Sequence, residues 1–380
     1  MPYTIGIDAR KLRDFGIGTY VRHLVRGLAE IDAENRYVLF ASAEGAAELT
    51  DLPANFTPVI ETSPVYSMRE HVALSWKLWR GKIDLYHSTH YVLPAVVPGR
   101  VVVTIHDIIH LLYPQYLPSP FALLYAQRML RRSLNRGDRI IAASQNTKTD
   151  LMDYFGVDGR KIQVIYQGVD DVFRQRLPED ELERRLTEAG LVRPYILFVG
   201  NPKPHKNLDT VIRAYARARE LATFSEPLVT VGARDGTDFK IRQRAEQLGV
   251  QNHIHLAGHL PDELLPAVYQ GASLFLFPTL YEGFGLPVIE AMASGVAVVT
   301  SNNSALKEVA EGYARLVSPL EEEQIAHAIA ELMSDPEERE ALAKLGQKRS
   351  EDFRWGRTAE RTLEVYRSAL RGSKTPGATS

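Results

Sequence analysis

Short apolar strand segments alternate with helical stretches along this chain, and the alternation starts twice. The first series is YTIGID (3–8), YVLFA (37–41), IDLYHS (83–88), VVVTIHD (101–107), RIIAAS (139–144) and KIQVIYQGVD (161–170). The second is YILFVG (195–200), PLVTVGA (227–233), HIHLAG (253–258), SLFLFP (273–278) and VAVVTS (296–301). Between them lie stretches with the 3.6-residue apolar period of helices, such as VRHLVRGLAEI and NLDTVIRAYARAR. Strand–helix alternation predicts parallel sheets covered by helices on both faces. The chain has 380 residues, which suits two such domains of about 150–200 residues each. A charged stretch, 173–193, separates the two series and reads as the linker. Doubly wound sheets bind ligands at the carboxyl ends of their strands, so the informative residues are those that follow strands.

Composition removes several classes of function. The net charge is -2, with 45 % hydrophobic and 24 % charged residues, which gives no footprint for a nucleic-acid binder. The absence of cysteine removes disulfides, thiolate nucleophiles and zinc–thiolate sites. Asp8, Arg10 and Lys11 interrupt any apolar N-terminal leader, so no signal peptide is expected. No run of about 18 apolar residues predicts a membrane span. The expected location is cytoplasmic.

The richest segment is SLFLFPTLYEGFGLPVIEAMASGVAVVTSN, 273–302. A strand ends at Pro278 and a loop carries Tyr281, Glu282, Gly283, Phe284 and Gly285. Pro287 suits the first turn of a helix, where its missing N–H costs nothing. Gly295 suits the end of that helix. The amides of Phe284, Gly285 and Leu286 then lie at a positive helix end, a phosphate cradle. Glu282 in the loop and Glu290 in the helix can accept hydrogen bonds from polyol hydroxyls. A nucleotide-sugar offers both a diphosphate and hydroxyls. Taken singly, each glutamate has a plainer explanation: Glu290 favours the helix dipole, and Glu282 is solvated.

This run resembles the E-x7-E motif of the retaining GT-B glycosyltransferases of family 4, and the resemblance covers essentially the whole chain. It implies a fold of two Rossmann-like, doubly wound domains facing a cleft. Glu290 would then hold the donor ribose, and Glu282 with the following amides would contact the donor sugar. SNNSALKEVAEGYARLVSP (301–319) looks like the family's segment lining the nucleotide pocket. In FVGNPKPHKNLDTVIRAY (198–215) a strand ends at Gly200, and Asn207 reads as the cap of the next helix. Lys206 matches the lysine that clamps the diphosphate. The arginine usually beside it is absent, and Lys203 or His205 could serve instead. His106, at the end of VVVTIHD, resembles the family histidine that contacts the donor sugar. In DFGIGTY, Gly16 and Gly18 read as a tight turn before a helix, a loop that in the family approaches the diphosphate. Val21 stands where a third glycine would complete a dinucleotide fingerprint, which argues against an NAD site.

The domains implied are 1–172, the acceptor domain; 194–352, the donor domain; 353–371, a helix returning to the first domain; and 372–380, a disordered tail. No Asp-x-Asp occurs in the sequence, so no metal and no cofactor are expected. The second-phosphate role falls to side chains and amides. The expected partners are a nucleotide-sugar donor and a carbohydrate or lipid-linked acceptor, without nucleic acid. Residues 66–82 (YSMREHVALSWKLWRGK) and 128–139 (RMLRRSLNRGDR) are basic. They suggest peripheral contact of the N-terminal half with the inner membrane face, or else solvated helix faces with their aromatics turned inward. The competing functions are a GT-B-like sugar-nucleotide epimerase and a non-catalytic sugar-nucleotide sensor.

Overall fold

A computed structural model describes residues 2–63, 67–117, 119–232 and 238–371. The segment 372–380, expected to be disordered, lies outside them. The chain divides into two compact units: the described residues of Met1–Gly168 with Trp355–Ser380, and Val169–Arg354. No described helix is long and apolar enough to cross a membrane.

The first unit is built on seven parallel strands: β1 (Thr4–Asp8), β2 (Arg36–Ala41), β3 (Phe56–Ile60), β4 (Leu85–Ser88), β5 (Arg100–Ile105), β6 (Arg139–Ala142) and β7 (Ile162–Val164), in the order β3-β2-β1-β4-β5-β6-β7. Strand β3 was not evident from the sequence. It is an edge strand with a proline, Pro58, opposite Leu39, and most of its residues are exposed. Proline is tolerated at an edge because one side of the strand needs no ladder donor.

The long helix Trp355–Arg371 belongs to this unit and packs on the helix Phe15–Ile31. Its buried stripe, from Trp355 through Ala359, Leu363 and Tyr366 to Leu370, follows the helical period. A buried polar chain ties it to the sheet. Tyr366 Oη lies 2.6 Å from His87 Nδ1, and His87 Nε2 lies 2.8 Å from Thr104 Oγ1. Thr104 Oγ1 in turn lies 3.0 Å from Tyr20 Oη. Burial holds the His87 imidazole neutral, with its pKa brought down to about 3.

The second unit carries six parallel strands: β8 (Tyr195–Val199), β9 (Leu228–Val231), β10 (Ile254–Gly258), β11 (Ala272–Phe277), β12 (Val298–Ser301) and β13 (Arg315–Val317), in the order β10-β9-β8-β11-β12-β13. Only β13 went unread. It is a three-residue edge strand, too short to show alternation. Residues 173–193, read above as a linker, carry the helix Glu179–Glu188. Its Leu182 and Leu186 are buried, and it packs on the helix Leu265–Gln270. The stretch is therefore an element of the second unit. Its charges occupy the outer face of an amphipathic helix.

Candidate functional site

In both sheets the strand order reverses once, at β1/β4 in the first unit and at β8/β11 in the second. Chain connections leave such a reversal point in opposite directions and open a crevice at the carboxyl ends of the two strands. In the second unit this crevice gathers the predicted donor residues. The segment after β8 leads through Gly200 and Lys203 into a single 3-10 turn, Pro204–Lys206. The segment after β11 carries Glu282 and then opens the helix Leu286–Ala293. The two are stitched together by the Leu280 amide, which donates to the His205 carbonyl at 2.8 Å.

Lys206 and Glu282, 76 residues apart in sequence, meet directly. Lys206 Nζ donates to Glu282 Oε1 at 2.7 Å, and both side chains are largely buried. The ammonium also sits 5.1 Å from the centroid of the Phe277 ring, a cation–π placement. Glu282 is held from its backbone as well. Its amide donates to Ser304 Oγ at 3.2 Å, and its carbonyl accepts from the Ala305 amide at 3.4 Å. Asn303 Nδ2 donates to the Leu280 carbonyl at 3.0 Å. Residues 303–305 thus brace the glutamate loop, and Ser304 does so at a φ of 50°, unusual outside glycine. The sequence marks this stretch only through its family resemblance.

Asn207 departs from its expected role. It stands at the start of the helix Leu208–Leu221 with a φ of 62° and makes no capping hydrogen bond. Its amide group instead donates to the Pro278 carbonyl at 2.9 Å and the Pro319 carbonyl at 2.7 Å. It cross-links three loops at the crevice. A left-handed backbone, which Asn tolerates, turns the side chain away from its own helix.

The helix Leu286–Ala293 begins after Gly285, whose φ is 107°. A side chain there would be strained by the backbone and would press on Leu306. No side-chain cap closes this helix start, and Pro287 occupies its first turn. The amide-lined positive end thus falls where Phe284, Gly285 and Leu286 were expected to cradle phosphate. One turn in, the half-buried Glu290 accepts from Tyr269 Oη at 2.8 Å. Burial, with Asp262 and Asp170 nearby, lifts its carboxyl to about 7 against the stabilising bond from Tyr269. Tyr269 lies on the helix Leu265–Gln270, and no sequence signal pointed to it.

The first-unit candidates are arranged differently from expectation. Gly16 and Gly18 do not form a turn before the helix; both lie inside the helix Phe15–Ile31. A Cβ on Gly18 would lie 2.2 Å from the Leu12 carbonyl oxygen. The glycine is therefore needed so that the helix can pass against the preceding loop. His106 follows β5, and both its ring nitrogens have partners. Nε2 lies 3.0 Å from the Thr89 carbonyl and must carry the proton, while Nδ1 lies 3.2 Å from the Gln167 amide nitrogen. Burial lowers its pKa against the opposing pull of Thr89 and Asp107, so the imidazole is neutral at pH 7. Nearby, the buried Asp8, Glu70 and His90 cluster tightly enough to suit a cation. The Arg10 guanidinium already spans both carboxylates, at 2.6 and 2.7 Å, and offsets part of their charge from within.

Comparison with known proteins bears on both units. The Glycosyltransferase Family 4 profile matches residues 16–173, and the Glycosyl transferases group 1 profile matches residues 180–349. The O-antigen chain mannosyltransferase B of Escherichia coli is 27 % identical over 369 residues, 93 % of this chain and 96 % of its own length. The MMP alpha-(1->4)-mannosyltransferase of Mycolicibacterium hassiacum is 31 % identical over 248 residues, 64 % of this chain and 57 % of its own. Among solved structures, Anabaena HepE in complex with UDP and glucose superposes with a TM-score of 0.77 at 19 % identity, covering 96 % of this chain and 100 % of its own. Two parallel-sheet Rossmann-like units, a glycine-led helix start beside a lysine–glutamate pair, and profile matches across both halves place the chain in glycosyltransferase family 4, with the GT-B fold.

Proposed function

We propose that this enzyme transfers a mannosyl-type hexose, with retention and without a metal, from a nucleotide-diphosphate sugar to a hydroxyl of a saccharide or lipid-linked acceptor. The observation that carries the reading is the second unit's crevice. There Lys206 pairs with Glu282 in the loop that leads into the helix Leu286–Ala293, whose start has no side-chain cap, and Glu290 lies one turn into that helix. The cation and the amides suit a diphosphate; the carboxylates suit ribose and sugar hydroxyls. The preference for mannose rests on the names of the similar proteins, two of which are mannosyltransferases. GDP-mannose is the donor to test first, with UDP- and ADP-glucose as the alternatives.

In the reaction the bond from the sugar C1 to the diphosphate oxygen breaks as the bond from C1 to the acceptor oxygen forms on the same face. The acceptor proton passes to the departing phosphate oxygen. Lys206 and the amides of Phe284, Gly285 and Leu286 stabilise the charge that develops on the diphosphate. Glu282 orients the sugar, and Glu290 accepts from the ribose. Lys203 and His205, in the same loop as Lys206, are the candidates for a second phosphate contact. His106, Gly16 and Gly18 are the first unit's candidates for the donor, and a cytoplasmic site of action belongs to the same proposal. Epimerase and sensor functions draw no support from the similar proteins, which are named as transferases.

The test is a thermal-shift series with GDP-mannose, UDP-glucose and ADP-glucose, because a ligand that binds only the native state raises the melting temperature. Transfer to saccharide acceptors follows, with the anomeric configuration of the product read by NMR. An α-linked product from an α-linked donor is expected. A β-linked product would overturn retention, and donor conversion without an acceptor would restore the epimerase.

A further inference from the structure

In the first unit, the helices Met68–Arg80 and Pro120–Arg136 lie on one face of the sheet. The β3-to-β4 and β5-to-β6 connections step the same way along the strand order, and right-handed crossovers that step the same way cover the same face. The two helices grip one loop between them. The Leu93 carbonyl accepts from Arg132 Nη1 at 3.2 Å and lies 3.1 Å from His71 Nδ1. The Ala95 amide donates to the His71 carbonyl, and the Ala95 carbonyl accepts from Arg132. Their inward residues, Leu74 and Leu78 on one helix and Ala126, Leu130 and Leu134 on the other, share a single core.

The outward stripes are unlike ordinary solvated helix faces. On the first helix, Val72, Trp76 and Trp79 follow the i, i+4, i+7 spacing, and Trp79 is 71 % exposed. On the second, Phe121 and Leu124 continue into Arg128 and Arg131 on the same stripe, and Phe121 is 83 % exposed. The aromatics are not turned inward, contrary to the plainer sequence reading. The charge on these helices is one-sided. Their only acidic side chain, Glu70, is buried and bonded to Arg10. Among the described residues, Arg69, Arg80, Arg128 and Arg131 make no ion pair. Arg80 instead lies 5.1 Å from the Trp76 ring centroid.

We propose that this two-helix face docks on an anionic lipid surface. Tryptophan and phenylalanine side chains settle at the headgroup–acyl boundary, and arginines on the same stripes neutralise lipid phosphates. A second copy of the chain is the poorer occupant, because two such faces would set arginine against arginine. The inference does not depend on the donor assignment, since it concerns helices that carry none of the donor residues.

The experiment is flotation of the full chain with vesicles of phosphatidylcholine alone or of phosphatidylcholine mixed with phosphatidylglycerol. The expected result is binding to the anionic vesicles that weakens as salt is raised, with little binding to the neutral ones. W76A/W79A and R128E/R131E should each reduce it about tenfold or more, while V192E, an exposed position in the second unit, should leave it unchanged. Nucleotide affinity and melting temperature of each variant, measured on the same preparations, show that the fold and the donor site persist. Equal binding to neutral vesicles, no binding at all, or unaltered binding by both double variants would overturn the proposal. So would self-association without lipid that the same substitutions abolish.

Discussion

Lys206 and Glu282 neutralise each other at 2.7 Å, so a diphosphate must compete for the lysine. Lys206→Ala is expected to weaken nucleoside-diphosphate binding roughly tenfold to a hundredfold, the worth of a charge-assisted hydrogen bond. Glu282→Ala frees the lysine, so it should leave that affinity intact or raised and act mainly on kcat. Calorimetric titration and steady-state kinetics of the two variants separate these outcomes, and parallel losses of affinity would contradict the assignment. Glu290 carries a pH dependence. Its folded carboxyl titrates near 7, against 4.5 as the ordinary value, and a carboxylate accepts ribose hydroxyls better than a neutral acid. Nucleotide affinity should therefore rise about tenfold between pH 6 and pH 8, and Glu290→Gln should flatten the profile. For stability the sign is the reverse. The folded state binds the extra proton between about 4.5 and 7, so ionisation costs stability as pH rises through that window, and the cost is complete above it. Glu290→Gln should gain about 1–3 kcal/mol at pH 8, with the gap closing towards pH 4, in urea melts at the two pH values. Lys206 and Glu282 were readable in sequence because each follows an apolar strand run, and Glu290 because the Gly285–Pro287 signal marks the helix start just before it. Their pairing was not, because it depends on β8 and β11 lying side by side, which no local pattern encodes.

At the scale of elements, Arg10 joins the end of β1 to the helix Met68–Arg80 through Asp8 and Glu70. The guanidinium and its hydrogen bonds outweigh burial and hold the Asp8 carboxyl far below the usual range. Removing one partner leaves buried charge uncompensated. Arg10→Ala should lose about 3–5 kcal/mol by urea denaturation at pH 7, with a smaller loss towards pH 3 as the unfolded carboxyls protonate. An unchanged midpoint would show that water enters and solvates the acids. Central strands announced themselves because burial on both faces demands continuous apolar runs. Edge strands β3, largely exposed and carrying Pro58, and β13, only three residues long, show no such run. The helix Glu179–Glu188 was hidden by its own outer face, because Leu182 and Leu186 are few among its charges. Gly16 and Gly18 suggested a turn; the helix runs through them, and Gly18 answers the close pass of Leu12, which leaves no room for a side chain there.

At the scale of the whole molecule, transfer should survive chelation. The crevice offers Lys206 and a helix start to the leaving diphosphate, and the sequence has no Asp-x-Asp. Initial rates in excess EDTA are expected to match those in manganese or magnesium within about twofold, well under the 1.4 kcal/mol that a tenfold change represents. Loss in EDTA with recovery on adding metal would place a divalent ion on the diphosphate and reassign the chelating carboxylates.

The placement of the helix Trp355–Arg371 in the first unit bears on the order of events at the ribosome. The second unit, Val169–Arg354, is one uninterrupted stretch and can fold once its last strand and helices have emerged. The first unit is translated first, yet His87, which is bonded through Thr104 to Tyr20, lacks its Tyr366 partner until the helix Trp355–Arg371 is synthesised. The unit begun first cannot close until that helix is made, and a chain cut after residue 354 would keep every residue of the second unit and leave the first unit open along the groove of its missing helix.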